Sequence, residues 1–177
     1  MKPAYIAGTA VGLFVASFGS SFVHPGGNPR SGTDPRAPLL AGSNVPANVA
    51  QVLEAKCADC HSERTKWPAY SRFAPTSWVI EHDVQEGREH LNLSRWQDYT
   101  LETRVDLLSQ IAAETRNEQM PLRQYLVLHP SARLSAGEQQ LIYSWAKSER
   151  KQIRRQIVDE QTGHSQNMKP GNISRGE

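Results

Sequence analysis

The chain opens on a long apolar run. No charged residue occurs between Ala4 and Val23, and Lys2 precedes the run. About 20 apolar residues are enough to cross a bilayer as a helix, and a cation on the near side favours a cytoplasmic N-terminus. Two main interpretations stay open for residues 1–23: a signal anchor that remains in the membrane, or a signal peptide cleaved near the small residues at 16–20. A buried core helix is the third alternative, and the proline- and glycine-rich segment that follows argues against it. Either of the two main interpretations places the rest of the chain on the periplasmic side of the inner membrane.

A polar segment and a helical domain follow this run. Residues 24–44 are rich in glycine, proline, serine and asparagine, a composition that predicts a flexible linker. Over residues 45–160 apolar positions recur three and four residues apart, which is the period of an amphipathic helix. No pair of alternating segments predicts a strand hairpin. We therefore predict an all-α domain over 45–160, followed by a disordered polar tail over 161–177.

The same period places four helices within this domain. They are predicted to run from Pro46 to about residue 56, over 76–90, over 100–116, and from residue 136 to beyond 150. The last helix is preceded by Ser135 and Glu138, which have the spacing of a capping box.

The composition says little about binding partners, except for one stretch that is rich in basic residues. The hydrophobic share is 38%, the charged share is 21% and the net charge is +2, which suits one globular domain with tails. We find no nucleic-acid-binding motif and expect no nucleic-acid partner. Lysine and arginine residues cluster between 147 and 155, which indicates either a solvated helix face or a docking site for an acidic redox partner.

The two cysteines of the chain belong to one motif, Cys57-Ala58-Asp59-Cys60-His61. C-x-x-C-H is the attachment signature of a c-type haem, in which both thiols bond to the haem and the histidine binds the iron. A thioredoxin-like redox pair would need a βαβ context, and a structural zinc site would need a second pair of ligands. A disulfide would close a very small loop. We predict one covalent haem c at Cys57 and Cys60, with His61 as an iron ligand.

The iron would have a sixth position opposite His61. Methionine is a common ligand there and raises the reduction potential. Of the three methionines, Met1 is the initiator and Met168 lies in the tail, whereas Met120 lies in a loop between two predicted helices and precedes a proline. We predict Met120 as the sixth ligand. The rival ligands are histidines, namely His129, His82 and His90.

The stretch from about 45 to 148 resembles the bacterial haem-binding domain family of small c-type cytochrome-like proteins. The resemblance rests on the Cys57–Ser62 motif followed, in this order, by Trp67-Pro68-Ala69-Tyr70, Ala74-Pro75-Thr76-Ser77-Trp78, Gly87-Arg88, Leu91-Asn92-Leu93-Ser94-Arg95-Trp96, Met120-Pro121, Tyr125, His129-Pro130, Leu134-Ser135 and Trp145. It implies haem binding at Cys57, Cys60 and His61 in a small cytochrome c-like helical domain behind an N-terminal membrane segment. The closing Met-Pro, loop and capped helix also look like class I cytochromes c, which supports Met120.

These features lead us to expect an electron carrier outside the cytoplasm. Its partners would be redox proteins and the haem-attachment machinery. Two alternatives stay open. One is a peroxidase or gas sensor with an open distal site, in which His129 or Arg123 would supply a polar group. The other is a haem module that docks to a larger oxidoreductase.

Overall fold

The computed structural model describes residues 3–31 and 33–167, with side chains over 8–31 and 33–163. Its helices are α1 (Pro3–Ser20), α2 (Ala47–Lys56), α3 (Ala58–His61), α4 (Thr76–His90), α5 (Leu101–Arg116), α6 (Arg123–Leu128) and α7 (Ala136–Asn167). Short 3₁₀ helices cover Ala69–Arg72, Leu93–Asp98 and Pro130–Ala132. No strand occurs in the described ranges, so the predicted all-α class is confirmed.

Side-chain caps fix the starts of two of the predicted helices. The backbone N–H of Thr103 donates to Thr100 Oγ1 (3.2 Å) at the start of α5. At the start of α7, the N–H of Glu138 donates to Ser135 Oγ (3.3 Å), and the N–H of Ser135 donates to Glu138 Oε2 (2.8 Å). This reciprocal pair is the predicted capping box.

Helix α7 extends further than predicted. It continues to Asn167, whereas the sequence predicted the domain to end at 160. The remainder of the predicted tail, residues 168–177, lies outside the described residues.

Helix α1 covers Pro3–Ser20 of the segment that was predicted as a signal anchor or a signal peptide. It ends at Ser20, and turns follow it directly. Within residues 3–31 and 33–167, no helix combines the length and the apolar character needed to cross a bilayer.

The chain forms two compact units, and the first consists of Met1–Gly42 and Ala50–Trp96. Its buried apolar residues are Leu40, Leu53, Ala58, Ala74, Val84, Leu93 and Trp96. The segment predicted as a flexible linker belongs to this unit up to Gly42. For example, Leu40 is buried, and its backbone N–H donates to the carbonyl oxygen of Leu93 (2.8 Å).

The second unit consists of Ser43–Val49 and Gln97–Glu177. Within it α5 packs against α7, and the contact buries Val105, Leu107, Leu108 and Ile111 of α5 with Ile142, Trp145, Ala146 and Ile153 of α7. One polar link joins the same two helices, since Arg150 Nη1 donates to Ser109 Oγ (2.8 Å).

Candidate functional site

The cysteine motif lies in the first unit, at the break between α2 and α3. Helix α2 ends at Lys56, Cys57 takes the N-cap position of the single-turn helix α3, and His61 closes that turn. The N–H of Cys57 still donates to Leu53 O (3.0 Å), and the N–H of His61 donates to Cys57 O (2.9 Å). The backbone therefore holds Cys57, Cys60 and His61 within one helical turn.

The imidazole of His61 is oriented by a backbone carbonyl. Its Nδ1 lies 3.1 Å from the oxygen of Leu91. Because a carbonyl oxygen can only accept, Nδ1 carries the proton, and Nε2 of the neutral ring keeps its lone pair. Burial lowers the pKa of His61, although the carbonyls of Leu91 and Gly87 act in the opposite direction. The ring is thus prepared to bind a metal through Nε2, in the way that metal-binding histidines are usually oriented.

Both thiols of the motif are free and half-buried. Burial raises the pKa of Cys57 to about 12, and the neighbouring Cys60 adds to the shift. Burial likewise raises the pKa of Cys60 to about 11, with Asp59 and Asp83 adding to it. Reactive redox cysteines have lowered pKa values, because the thiolate is the nucleophile. The arrangement therefore does not favour a thioredoxin-like pair.

Gly87 allows α4 to approach the motif closely. A Cβ atom at this position would lie 2.9 Å from the carbonyl oxygen of Cys60 and 3.3 Å from its Cβ. Real Cβ contacts are essentially never shorter than 3.0 Å, so any side chain at Gly87 would force α3 and α4 apart. Leu91, whose carbonyl oxygen orients His61, directly follows the end of α4.

Arg88, the next residue of α4, holds the backbone that follows His61. Its Nε donates to Ser62 O (2.8 Å), and its Nη2 donates to Thr65 Oγ1 (2.9 Å). Its Nη1 donates to Pro29 O. One guanidinium thus ties the exit of the motif to the N-terminal segment.

Buried hydroxyl and carbonyl groups complete this turn. Ser62 is fully buried, and its Oγ donates to Ala58 O (2.6 Å). Thr65 Oγ1 donates to Asp59 O (2.6 Å). These contacts fold the chain back over α3 and fix the conformation of the motif.

The candidates for the sixth ligand differ in their surroundings. His82 and His90 of the first unit are exposed, and His90 Nδ1 donates to Glu86 O (2.9 Å). Met120 lies in the second unit, is half-buried, and its backbone N–H donates to Glu114 O (3.2 Å). His129 of the same unit stacks on Tyr125 with ring centroids 4.3 Å apart. The structure therefore brings Cys57, Cys60 and His61 together, while Met120 and His129 belong to the other unit.

Sequence reasoning found the motif but not its supports. Gly87, Arg88 and the carbonyl of Leu91 had no assigned role, although the first two form one of the motifs that carry the resemblance. The signal that was available is a glycine inside a helical segment, which often marks a close backbone approach.

The donor set suits haem better than a bare metal ion. Within the described part of the chain, no three histidine, cysteine, aspartate or glutamate side chains group to hold a metal, as a structural zinc site would require. A haem iron would need only one imidazole from the motif, because the porphyrin supplies four ligands. Two free thiols and one oriented imidazole on a single turn match that need.

These observations define an all-helical protein with a histidine site suited to haem. A family model described as a haem-binding domain matches residues 15–148, and the chain belongs to this family. The match begins at residue 15 and not at 45, so the family includes the N-terminal segment that packs on the first unit. No curated protein and no solved structure matches the chain.

Proposed function

We propose that this protein is a monohaem c-type cytochrome that carries electrons outside the cytoplasm. The observation that carries the proposal is the hydrogen bond of 3.1 Å between His61 Nδ1 and Leu91 O. It leaves Nε2 as the metal-binding nitrogen, on the same turn as two free thiols.

Each residue of the motif has a separate task. Cys57 and Cys60 would each add a thiol S–H across a haem vinyl group, which forms one C–S and one C–H bond and needs no oxidant. His61 would bind the iron through Nε2, and the Leu91 carbonyl would strengthen it as a donor. When bound, the haem supplies an iron that alternates between Fe(II) and Fe(III).

Met120 is our proposed sixth ligand. Its backbone is held by the hydrogen bond to Glu114 O (3.2 Å) at the end of α5, and its side chain is half-buried. A thioether ligand favours Fe(II) and raises the potential. With both axial positions filled by the protein, no substrate needs to bind the iron, which suits an electron carrier.

The proposed location and partners follow from the N-terminus and the motif. An apolar segment without charge over 4–23 is typical of export signals. We propose that it directs the chain to the periplasmic side of the inner membrane, where the haem-attachment machinery and redox partner proteins would act on it.

Visible spectroscopy in both redox states tests the electron-carrier proposal. The samples are the wild type, Met120→Ala and His129→Ala, each loaded with haem during export. We expect the wild type to show the weak far-red ferric band of an iron–methionine bond, and we expect this band to disappear only in Met120→Ala. The reduced wild type should not bind carbon monoxide, because its sixth position is filled.

The opposite pattern would favour the alternatives. A band lost only in His129→Ala would make His129 the ligand. If reduced wild type binds carbon monoxide at once, the distal position is open, and a peroxidase or gas sensor becomes the better description. Stable co-purification with a larger oxidoreductase would indicate a docked haem module.

A further inference from the structure

The outward face of α7 carries a cluster of cations. Lys147, Lys151, Arg154 and Arg155 are exposed and Arg150 is half-buried. The other four cations lie three, four, seven and eight residues after Lys147, a spacing that places all five along one side of the helix. The long side chains line a groove of about 470 Å³. We call this surface, Lys147 to Arg155, the basic face.

The acidic residue within this stretch does not neutralise the basic face. Glu149 is buried and lies on the side of α7 that packs against α5, where its Oε1 accepts from the N–H of Asn44 (3.3 Å). Across the described residues no salt bridge involves any cation of the face. Asp159 is the one acidic residue that lines the groove, so the face is strongly positive.

Haem binding does not account for these cations. The family match ends at residue 148, and four of the five cations follow it, at 150, 151, 154 and 155. Helix α7 nevertheless stays packed beyond that point, since Ile153 is buried. The chain therefore presents a rigid basic surface that its family domain does not require.

We propose that the basic face is the docking surface for an acidic protein partner. Two of its four exposed cations, Arg154 and Arg155, are arginines, which bind carboxylates in a bidentate manner. The apolar residue that lines the groove is Val158, which is 57% exposed, whereas helices that bind membranes insert aromatic and leucine side chains. Electrostatic steering gives fast, short-lived association, which an electron carrier needs. The inference that the partner is a redox protein rests on the proposed function.

Binding of labelled poly-aspartate to the full haem-loaded chain, followed by fluorescence anisotropy, tests the docking surface. The triple variant Lys151→Gln, Arg154→Gln and Arg155→Gln removes three cations of the face. The matched control, Arg36→Gln, Lys66→Gln and Arg72→Gln, removes three exposed cations of the first unit. We expect roughly tenfold weaker binding for the first triple, little change for the control, and loss of wild-type binding as salt rises.

Three results would overturn the proposal. Equal weakening in both triples would show an effect of net charge alone. Absence of wild-type binding at low salt would exclude an acidic partner, and binding to vesicles of phosphatidylglycerol and phosphatidylcholine without binding to poly-aspartate would make the surface a membrane contact. Circular dichroism checks that both triples fold. Haem content, measured on the same samples, reports separately on the proposed function.

Discussion

At the residue scale, the site depends on a position that has no side chain. Gly87 brings α4 so near to Cys60 that a Cβ atom would lie 2.9 Å from a backbone oxygen. That oxygen cannot move by a side-chain rotation, so a substitution must displace α3 or α4. Displacement would also shift Leu91, whose carbonyl orients His61.

Gly87→Ala should therefore destabilise the protein by about 1–3 kcal/mol, the usual cost of overpacking, and should lower the fraction of protein that carries haem. Urea unfolding and haem absorbance per protein measure the two effects. Gly163→Ala is the matched control, because it also lies in a helix and its Cβ would meet nothing within 4 Å. Equal behaviour of the two variants would contradict the close approach.

Glu149 makes a pH-dependent contribution in the second unit. Burial raises its pKa above the ordinary value of 4.5, although the hydrogen bond from Asn44 acts in the opposite direction. A raised carboxyl pKa means that the folded state holds the proton more tightly than the unfolded state. Its contribution to stability thus falls as the pH rises through 4.5 towards the folded pKa, and the penalty is complete above the folded pKa.

Glu149→Gln should consequently be more stable than the wild type at neutral pH, since glutamine can still accept from Asn44. The difference should vanish below pH 4.5. Urea unfolding over a series of pH values checks this sign. A variant that is less stable than the wild type at neutral pH would show that the charged form of Glu149 is favourable.

At the scale of elements, the helices with strong periodicity were predictable and the short ones were not. Helices α4, α5 and the start of α7 lie within one residue of their predicted bounds. Helices α3 and α6 have 4 and 6 residues, which is too short to show a period. They form because neighbouring residues hold them, as Cys57 O holds the N–H of His61 (2.9 Å).

The capping box of α7 gives the test at this scale. Ser135→Ala removes the acceptor of the Glu138 N–H and should cost about 1 kcal/mol of stability, with the haem spectrum unchanged. Ser148→Ala, an exposed position in the middle of the same helix, serves as the control and should be neutral. A changed spectrum with unchanged stability in Ser135→Ala would contradict this role.

At the scale of the whole molecule, the N-terminal segment is the largest departure from the sequence prediction. Its glycines and prolines predict a linker, yet Arg30 binds residues far along the chain. Arg30 Nε donates to Glu81 Oε1 (3.2 Å), its Nη2 donates to Ser71 O (2.7 Å), and its guanidinium lies 3.9 Å from the ring centroid of Trp67. Composition cannot reveal such partners, because they are set by tertiary packing.

Arg30→Gln should lower the free energy of unfolding by about 1–3 kcal/mol, because a charge-assisted hydrogen bond to a buried carboxylate is lost. The carboxylate of Glu81 is only 5% exposed. Trypsin should also cut the segment faster after Arg36 in this variant. Arg36→Gln, at an exposed position, is the control for stability, and equal stability of the two variants would mean that the segment is a linker after all.

The site residues that are adjacent in sequence were predictable, and the residues from other elements that support them were not. Cys57, Cys60 and His61 are adjacent in sequence, so the motif identifies them. Their supports come from α4 and from the N-terminal segment, and only the fold brings these together with the motif. Met120 belongs to another unit of the chain, so its assignment stays a prediction.

The most direct test of the central claim is whether haem stays attached after denaturation. The full chain would be produced with the haem-attachment machinery, unfolded, and measured by intact mass and by haem absorbance, beside the double variant Cys57→Ala and Cys60→Ala. The proposed function predicts one haem mass added to the wild type and none to the variant. A wild type that folds and binds haem but loses all of it on unfolding would contradict covalent attachment at Cys57 and Cys60.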